Sequence, residues 1–447
     1  MIDNYLEQKS QKLKVVIAAV VILGIGAALF IYFGDINKAD EATEPAINGS
    51  EGVTSATVTE EKPQAESPPT STTGLSSDSG PSAGEDTGTA PETESAPTED
   101  RQLTWVTSVL HGAGGRFGSI AIDNNDKVHI AHFGYDQSAY SNQESVLYHT
   151  TNAGGTWLNE IVERVGVADG ISMAIDSNGG IHISYQATDG LYGLKYAYRA
   201  GNSSAWVISS IDTTGTVWQY SSLAVDSKNN RVHIVYGDED NGSLKYATNT
   251  IGESDNWVTE TIENDISGQV HSSIAVDADG RCYIAYRAQT STLRFVSGSL
   301  NSWSTPTTLD SGGVISGISI ALDGSNNVHI SYHFGGLTTI KYATDSGGAW
   351  AVQQLADSDS DTQGKHTSIT VDGSDNIYIS YYKESSTNAA LKIIQNIDGI
   401  WSDHTIDEDG DKDGTGKYSS ISLDSENRIH ISYYRENGSE LRYAVQQ

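Results

Sequence analysis

One five-residue phrase returns seven times along the chain: SIAID at 119, SMAID at 172, SLAVD at 222, SIAVD at 273, SIALD at 319, SITVD at 368 and SISLD at 420. The spacings between successive copies are 53, 50, 51, 46, 49 and 52 residues. A repeat of this length is one supersecondary unit that cannot bury its own apolar face, so copies must pack on one another as a propeller, a solenoid or an array.

Period-two alternation and turn residues divide each unit into four short strands. Strand A is the SIAVD phrase, and its Asp opens a polar turn such as DADGR or DSNGG. Asp, Asn and Gly supply the local hydrogen bonds and positive φ that a tight hairpin needs. Strand B follows as IHISY or VHIVY, strand C as LKYA, and strand D carries a Trp. No helical period appears in this part of the chain. Four antiparallel strands per unit predict an all-β, seven-bladed β-propeller over residues 102–447.

The seventh unit stops at Gln447 without a strand D, and LTWVTSVLH at 103 stands before the first unit with nothing to complete. The first stretch therefore supplies the missing strand, so that an N-terminal strand closes the last blade and no open seam remains. Tryptophan agrees: Trp105, Trp157, Trp206, Trp257, Trp303, Trp350 and Trp401 share one place in the unit. A position common to every blade belongs to the scaffold, packed between adjacent sheets.

The hairpins before two of these tryptophans, TTNAGGTW at 150 and ATDSGGAW at 343, resemble the Asp-box (BNR) hairpin of sialidase-type propellers, through Asn152 or Asp345, Gly154 or Gly347, and Trp157 or Trp350. In that superfamily the hairpin is structural, so the resemblance implies a fold rather than a chemistry. The Arg-Ile-Pro motif of catalytic sialidases is absent from this sequence, which argues against sialidase activity.

The first hundred residues differ in kind. Residues 1–14 carry Lys9, Lys12 and Lys14, and Val15 to Phe33 form an uncharged run long enough to cross a bilayer once as a helix. The positive-inside bias predicts a cytoplasmic N-terminus and a signal anchor, with the propeller outside the cell or in the periplasm. Residues 34–101 are acidic and rich in Ser, Thr, Pro and Glu, too poor in apolar side chains to offset chain entropy, and read as a disordered linker. Of the formal charge of −32, residues 101–447 hold −20 (21 basic against 41 acidic), which argues against nucleic acid as a partner of the general surface. The single cysteine, Cys282, rules out an internal disulfide framework.

Function should lie where the repeat is broken. His129, His182, His233, His329 and His430 share one strand-B position and read as scaffold on a ring, and the seven Asp ending strand A read as turn formers. Two residues before each strand-A Ser the side chain varies: Phe117, Gly170, Tyr220, His271, Gly317, His366 and Tyr418. These should ring one mouth of the central channel. The ends of strand B, among them Arg287, His333, Tyr382 and Tyr434, are expected around the same opening, with Trp218 leading into it. Aromatic, imidazole and guanidinium groups around a concave opening predict a binding module for a glycan or protein partner at the cell surface. The alternative is a carbohydrate-active enzyme. Some seven-bladed propellers of the BNR type are polysaccharide lyases, and a loose similarity to them implies roles for His271, Arg287, His333, His366 and Tyr382. Finally, Asp409, Asp411 and Asp413 match half of a calcium loop, but Lys417 and Ser420 stand where completing ligands would be needed, which favours a solvated acidic loop over bound calcium. No other cofactor is implied.

Overall fold

The computed structural model describes residues 103–135, 145–166, 169–187, 193–214, 216–266, 270–335, 339–355, 362–385, 387–408, 410 and 414–447. The Val15 to Phe33 run and the linker lie outside them; among the described residues no helix is long and apolar enough to cross a membrane.

Seven antiparallel sheets follow one another, each built in chain order from its innermost strand A outward. Blade 1 begins with Gly114–Ile122, blade 2 with Ile171–Ile175, blade 3 with Val217–Asp226, blade 4 with Ser272–Val276, blade 5 with Ile315–Leu322, blade 6 with Thr362–Val371 and blade 7 with Thr415–Leu423. Blade 4 departs slightly from the plan, since its outer edge is two short pieces, Ser302–Trp303 and Thr307–Ser311, paired to one strand. The seventh sheet is completed by Trp105–His111, which pairs antiparallel with Glu440–Gln446 in the register Trp105 to Gln446 and Ser108 to Tyr443. The orphan stretch closes the ring as expected.

The turn-forming role of the strand-A aspartates is visible atom by atom. In Asp123, Asp176, Asp277, Asp323, Asp372 and Asp424 one carboxylate oxygen accepts the backbone N–H groups two and four residues on. In three blades the second oxygen faces a strand-B histidine, which in turn meets a strand-C tyrosine, as in Asp424, His430 and Tyr443 at 3.0 and 2.6 Å. These histidines are buried and spread around the ring, so the scaffold reading holds. Asn152 and Asp345 of the two Trp hairpins accept the N–H of Val128 and Val328 at 2.8 and 2.7 Å, tying each hairpin to its own sheet.

Three layers of contact join neighbouring blades. Innermost is a belt of hydrogen bonds: each strand-A Ser Oγ accepts the backbone N–H of the residue after the corresponding Ser in the next blade. The seven bonds, Ser119 to Met173 through Ser368 to Ile421 and Ser420 back to Ile120, span 3.0 to 3.2 Å. Strand A has a free edge facing the channel, and this belt satisfies it. Farther out, a buried strand-B tyrosine and a strand-C cation grip a carboxylate on the preceding blade: Tyr236 and Lys245 on Asp212, Tyr332 and Lys341 on Asp310, Tyr433 and Arg442 on Asp407. Blade 6 breaks this rule because Tyr381 and Lys392 hold Asp403 of their own sheet, and blade 1 breaks it because His132 and Tyr148 replace the tyrosine and the cation, and His111 of the closing strand replaces the acid. In blade 1 these three rings form a cluster of their own, at 4.7 to 5.4 Å. In the outer layer the shared tryptophan packs edge-on against a strand-C aromatic of the preceding blade, as in Trp157 on Tyr443 and Trp257 on Tyr196, at 5.2 and 4.9 Å.

Candidate functional site

At one mouth of the channel the inner strands enclose a cavity of about 340 Å³ to which all seven blades contribute. Its size falls in the ~300–1,000 Å³ range of small-ligand sites. The seven variable positions, Phe117, Gly170, Tyr220, His271, Gly317, His366 and Tyr418, all line it.

Local backbone geometry explains why these side chains point inward. In blades 1, 5, 6 and 7 strand A slips register just before its Ser, between Arg116 and Ser119, Ser316 and Ser319, Lys365 and Ser368, and Lys417 and Ser420. The extra residue leaves the ladder and re-aims its side chain. Phe117, His366 and Tyr418 take φ values of 54°, 58° and 52°, left-handed conformations that cost a non-glycine residue on the order of 1–3 kcal/mol each. The same left-handed conformation recurs at Gly170 and Gly317, so it is a feature of the mouth shared by five blades.

The rings gather into two walls. Tyr418 lies 4.3 Å from Phe117 on one side and 4.3 Å from His366 on the other. Across the mouth Tyr220 and His271 stack at 4.1 Å with planes 27° apart. Between them the floor is hydroxylated by Ser221, Ser272, Thr367 and Ser419. No carboxylate occurs among the described residues that line the cavity, although the domain around it is strongly acidic.

Strand B contributes a supporting layer behind the lining rather than a second ring around the opening, which corrects the expectation from sequence. Tyr382 is fully buried, its ring 6.5 Å from that of His366, with Lys417 Nζ 5.6 Å above it. Tyr434 is buried 6.1 Å behind Tyr418. His333 is buried and its Nδ1 lies 3.1 Å from Ser316 Oγ. Arg287 is buried too, and donates to the Ile315 carbonyl at 3.0 Å. The physical reason is the hairpin: strand B sits one strand spacing farther from the axis, so its last side chains reach the backs of the lining residues. Trp218 lies in the Val217–Asp226 strand with its side chain outside the described residues, as are Asp409, Asp411 and Asp413.

Four charged residues were not among those expected at the mouth, although Lys417 figures in the sequence reading as part of the acidic loop. Arg116, Lys365 and Lys417 immediately precede Phe117, His366 and Tyr418, and Asp169 precedes Gly170. Adjacency to the variable position was the available signal. Arg116 donates to Tyr135 at 3.3 Å and lies near enough to Tyr418 to interact with it electrostatically, while Lys365 meets Glu384 at 3.3 Å and Lys417 meets Glu436.

Burial dominates the titration of the lining. It pushes His366 down to about 3, with Lys365, Lys417 and His333 adding to the effect. Burial also holds His271 well below the usual imidazole range, helped by Arg287, His366 and His333. Tyr220 is pushed up to about 12 by burial, then by Tyr418 and Asp169, with Arg287 opposing. At neutral pH the mouth thus presents neutral imidazoles and protonated phenols, all able to exchange hydrogen bonds with hydroxyl groups.

No protein-family model matches the chain, and none of the curated proteins matches it. Solved structures do resemble it. A protein of unknown function from Dyadobacter fermentans DSM 18053 is 12% identical over 77% of this chain and 99% of its own, with a TM-score of 0.50. A polysaccharide lyase, an ulvan lyase bound to -[GlcA(1-4)Rha3S]-, is 14% identical over 75% of this chain and 93% of its own, with a TM-score of 0.52. The Aleuria aurantia lectin, in complex with Fucalpha1-6GlcNAc, is 14% identical over 67% and 97%, with a TM-score of 0.44. At these identities the likeness shows the fold. The chain is a seven-bladed β-propeller, and a polysaccharide lyase is among the solved structures similar to it in fold.

Proposed function

We propose that this protein binds an acidic glycan in the channel mouth, on a propeller held outside the membrane by the Val15 to Phe33 helix. The observation that carries the reading is the pair of aromatic walls facing each other across a hydroxyl-lined floor that lacks carboxylates. Flat rings stack on the apolar faces of sugars, while hydroxyl, imidazole and phenol groups match sugar hydroxyls. Lys365 in the lining, with the positive charge of the buried Arg287 behind it, favours a sugar acid over a neutral sugar. A concave cavity of this kind suits a sugar chain better than a protein surface, whose interfaces are broader and flatter. Affinity electrophoresis of the full-length protein in detergent tests it: gels containing the uronate polymers ulvan, alginate and polygalacturonate should retard migration, and gels containing neutral dextran should not. Equal migration in all of them would refute the reading.

A second reading, turnover by β-elimination, is favoured by the stacked Tyr220 and His271 beside Arg287. In such a step His271 would take the proton on the carbon next to the carboxylate, and the charge of Arg287, buried behind the lining, would favour that carboxylate from a distance. The C–O bond would then break, a C=C bond would form, and the Tyr220 phenol would protonate the leaving oxygen. An imidazole held well below its usual range is a weak base and a phenol near 12 a weak acid, so binding is the better supported of the two. Ultraviolet absorbance from unsaturated products on incubation with the same polymers would reverse that order.

A further inference from the structure

The ring of side chains around the mouth has two gaps, and they face each other. Gly170 in blade 2 and Gly317 in blade 5 occupy the positions held elsewhere by Phe117, Tyr220, His271, His366 and Tyr418. Two blades separate them on one side and three on the other, so the gaps lie almost diametrically across the channel. Their backbones, at φ 60° and 56°, match those of Phe117, His366 and Tyr418 at 54°, 58° and 52°. A side chain at either glycine would therefore be aimed as those rings are, over the mouth.

The residue after each glycine changes as well. Ile171 and Ile318 both line the cavity where blades 3, 4, 6 and 7 offer a hydroxyl, so each gap has a smooth apolar sill. Charge marks the two ends differently. Arg116 and Asp169 flank the Gly170 end, and Arg287, through its bond to the Ile315 carbonyl, lies beside the Gly317 end together with Lys365.

We propose that the mouth is a through-slot for an internal segment of a linear acidic polysaccharide, which enters over Gly170, passes between the two aromatic walls and leaves over Gly317. A ring carrying seven large side chains would form a closed cup and read only a chain end. Two opposed openings remove that restriction. The proposal rests on the glycan-binding reading above and adds to it which part of the polymer is recognised. Gly317 also has a packing reason to be glycine, since a Cβ there would come within 3.0 Å of His366 N and 3.2 Å of Thr367 N. The test therefore uses Gly170.

Binding of the full-length protein to ulvan, alginate and polygalacturonate is measured by calorimetry, with each polymer fractionated into short and long chains differing about tenfold in length. Recognition of internal segments gives the same affinity per mass of polymer for both fractions. Recognition of ends makes the long fraction about tenfold weaker per mass, and that result would overturn the proposal. Gly170→Tyr should then weaken the long fraction by about tenfold or more while a trisaccharide loses much less. Gly170→Ala, which carries the same backbone strain without the ring, should bind as the natural protein does. Loss of long-chain binding in Gly170→Ala to the same extent as in Gly170→Tyr, or no loss in Gly170→Tyr, would also overturn the slot. Failure of every fraction to bind the natural protein would instead refute the glycan-binding reading, and the slot with it.

Discussion

Removing one hydroxyl from the inner belt should cost the ring a definite amount of stability, wherever in the chain the hydroxyl lies. Ser420→Ala deletes the acceptor of the Ile120 N–H at 3.2 Å, a bond between residues 300 apart in sequence across the ring closure. Ser273→Ala deletes the equivalent bond to Ile320, also 3.2 Å, between blades joined by continuous chain. In each case a backbone N–H loses its partner. The bonds are partly buried and channel water can replace some of what is lost, so the cost is about 1–2 kcal/mol, toward the low end for an orphaned donor. With an unfolding entropy of about 2.1 cal/mol/K per residue over roughly 350 residues, that is a fall in Tm of about 1.5–3 °C. Differential scanning calorimetry resolves such a shift. The two variants should fall together, because the belt treats the closure as one more junction between blades. A change below about 0.5 °C in both would show that the belt is geometric coincidence, whereas a much larger loss in Ser420→Ala alone would show that the closure depends on this bond more than other junctions do.

Three other outcomes follow from the same interfaces. Ser432 Oγ is buried with no partner among the described residues and faces Gly118, where a Cβ would sit 3.5 Å away in ordinary contact; Gly118→Ser should supply a partner and raise Tm by about 1–2 °C. Acid should weaken the fold before the carboxylates protonate: burial, followed by His111, lowers His132 to about 3, and burial, followed by His149, lowers His129 to about 4. The folded state keeps these rings neutral while the unfolded chain takes up protons below 6.5, so their contribution is intact above pH 6.5 and lost as pH falls toward 4, by at most about 1.4 kcal/mol per pH unit for each ring. Urea unfolding at pH 7.5 and 4.5 reads this directly, and equal stability at the two values would contradict it. Replacing Trp105 by Ala in the closing strand removes a large, partly buried side chain packed on the apolar cluster between blades 6 and 7 and should cost about 3 kcal/mol, measured by the same urea titration; a midpoint unchanged from the natural protein would contradict the closure.

The sequence carried the architecture further than the site. Blade number, strand roles and ring closure were all legible, because a period of about fifty residues and a truncated last unit leave one arrangement that pairs every strand. The aspartates and histidines could be assigned to the scaffold since each recurs at a fixed place. The serine belt was in plain view as the first letter of SIAID, yet its meaning lay in a neighbouring blade, and a bond across an interface has no signature within one repeat. The lining residues Phe117, Tyr220, His271, His366 and Tyr418 were found as departures from the repeat. Arg287, His333, Tyr382 and Tyr434 were placed one layer too far inward, because sequence gives a residue's position along strand B but not the distance of that strand from the axis. Gly170 and Gly317 stand among the variable positions in the sequence, but only the rings around them show that these two places in the lining carry no side chain.

Titration calorimetry of the full-length protein against the Tyr220→Ala, Tyr418→Ala double variant probes the two aromatic walls at once. With the uronate polymers as titrant, the natural protein should bind one of them, and the variant should retain its Tm within a few degrees while binding at least tenfold more weakly, as loss of aromatic anchors worth about 1–2 kcal/mol each requires. Undiminished affinity in the variant would mean that the ligand is held elsewhere and that the mouth is not the site.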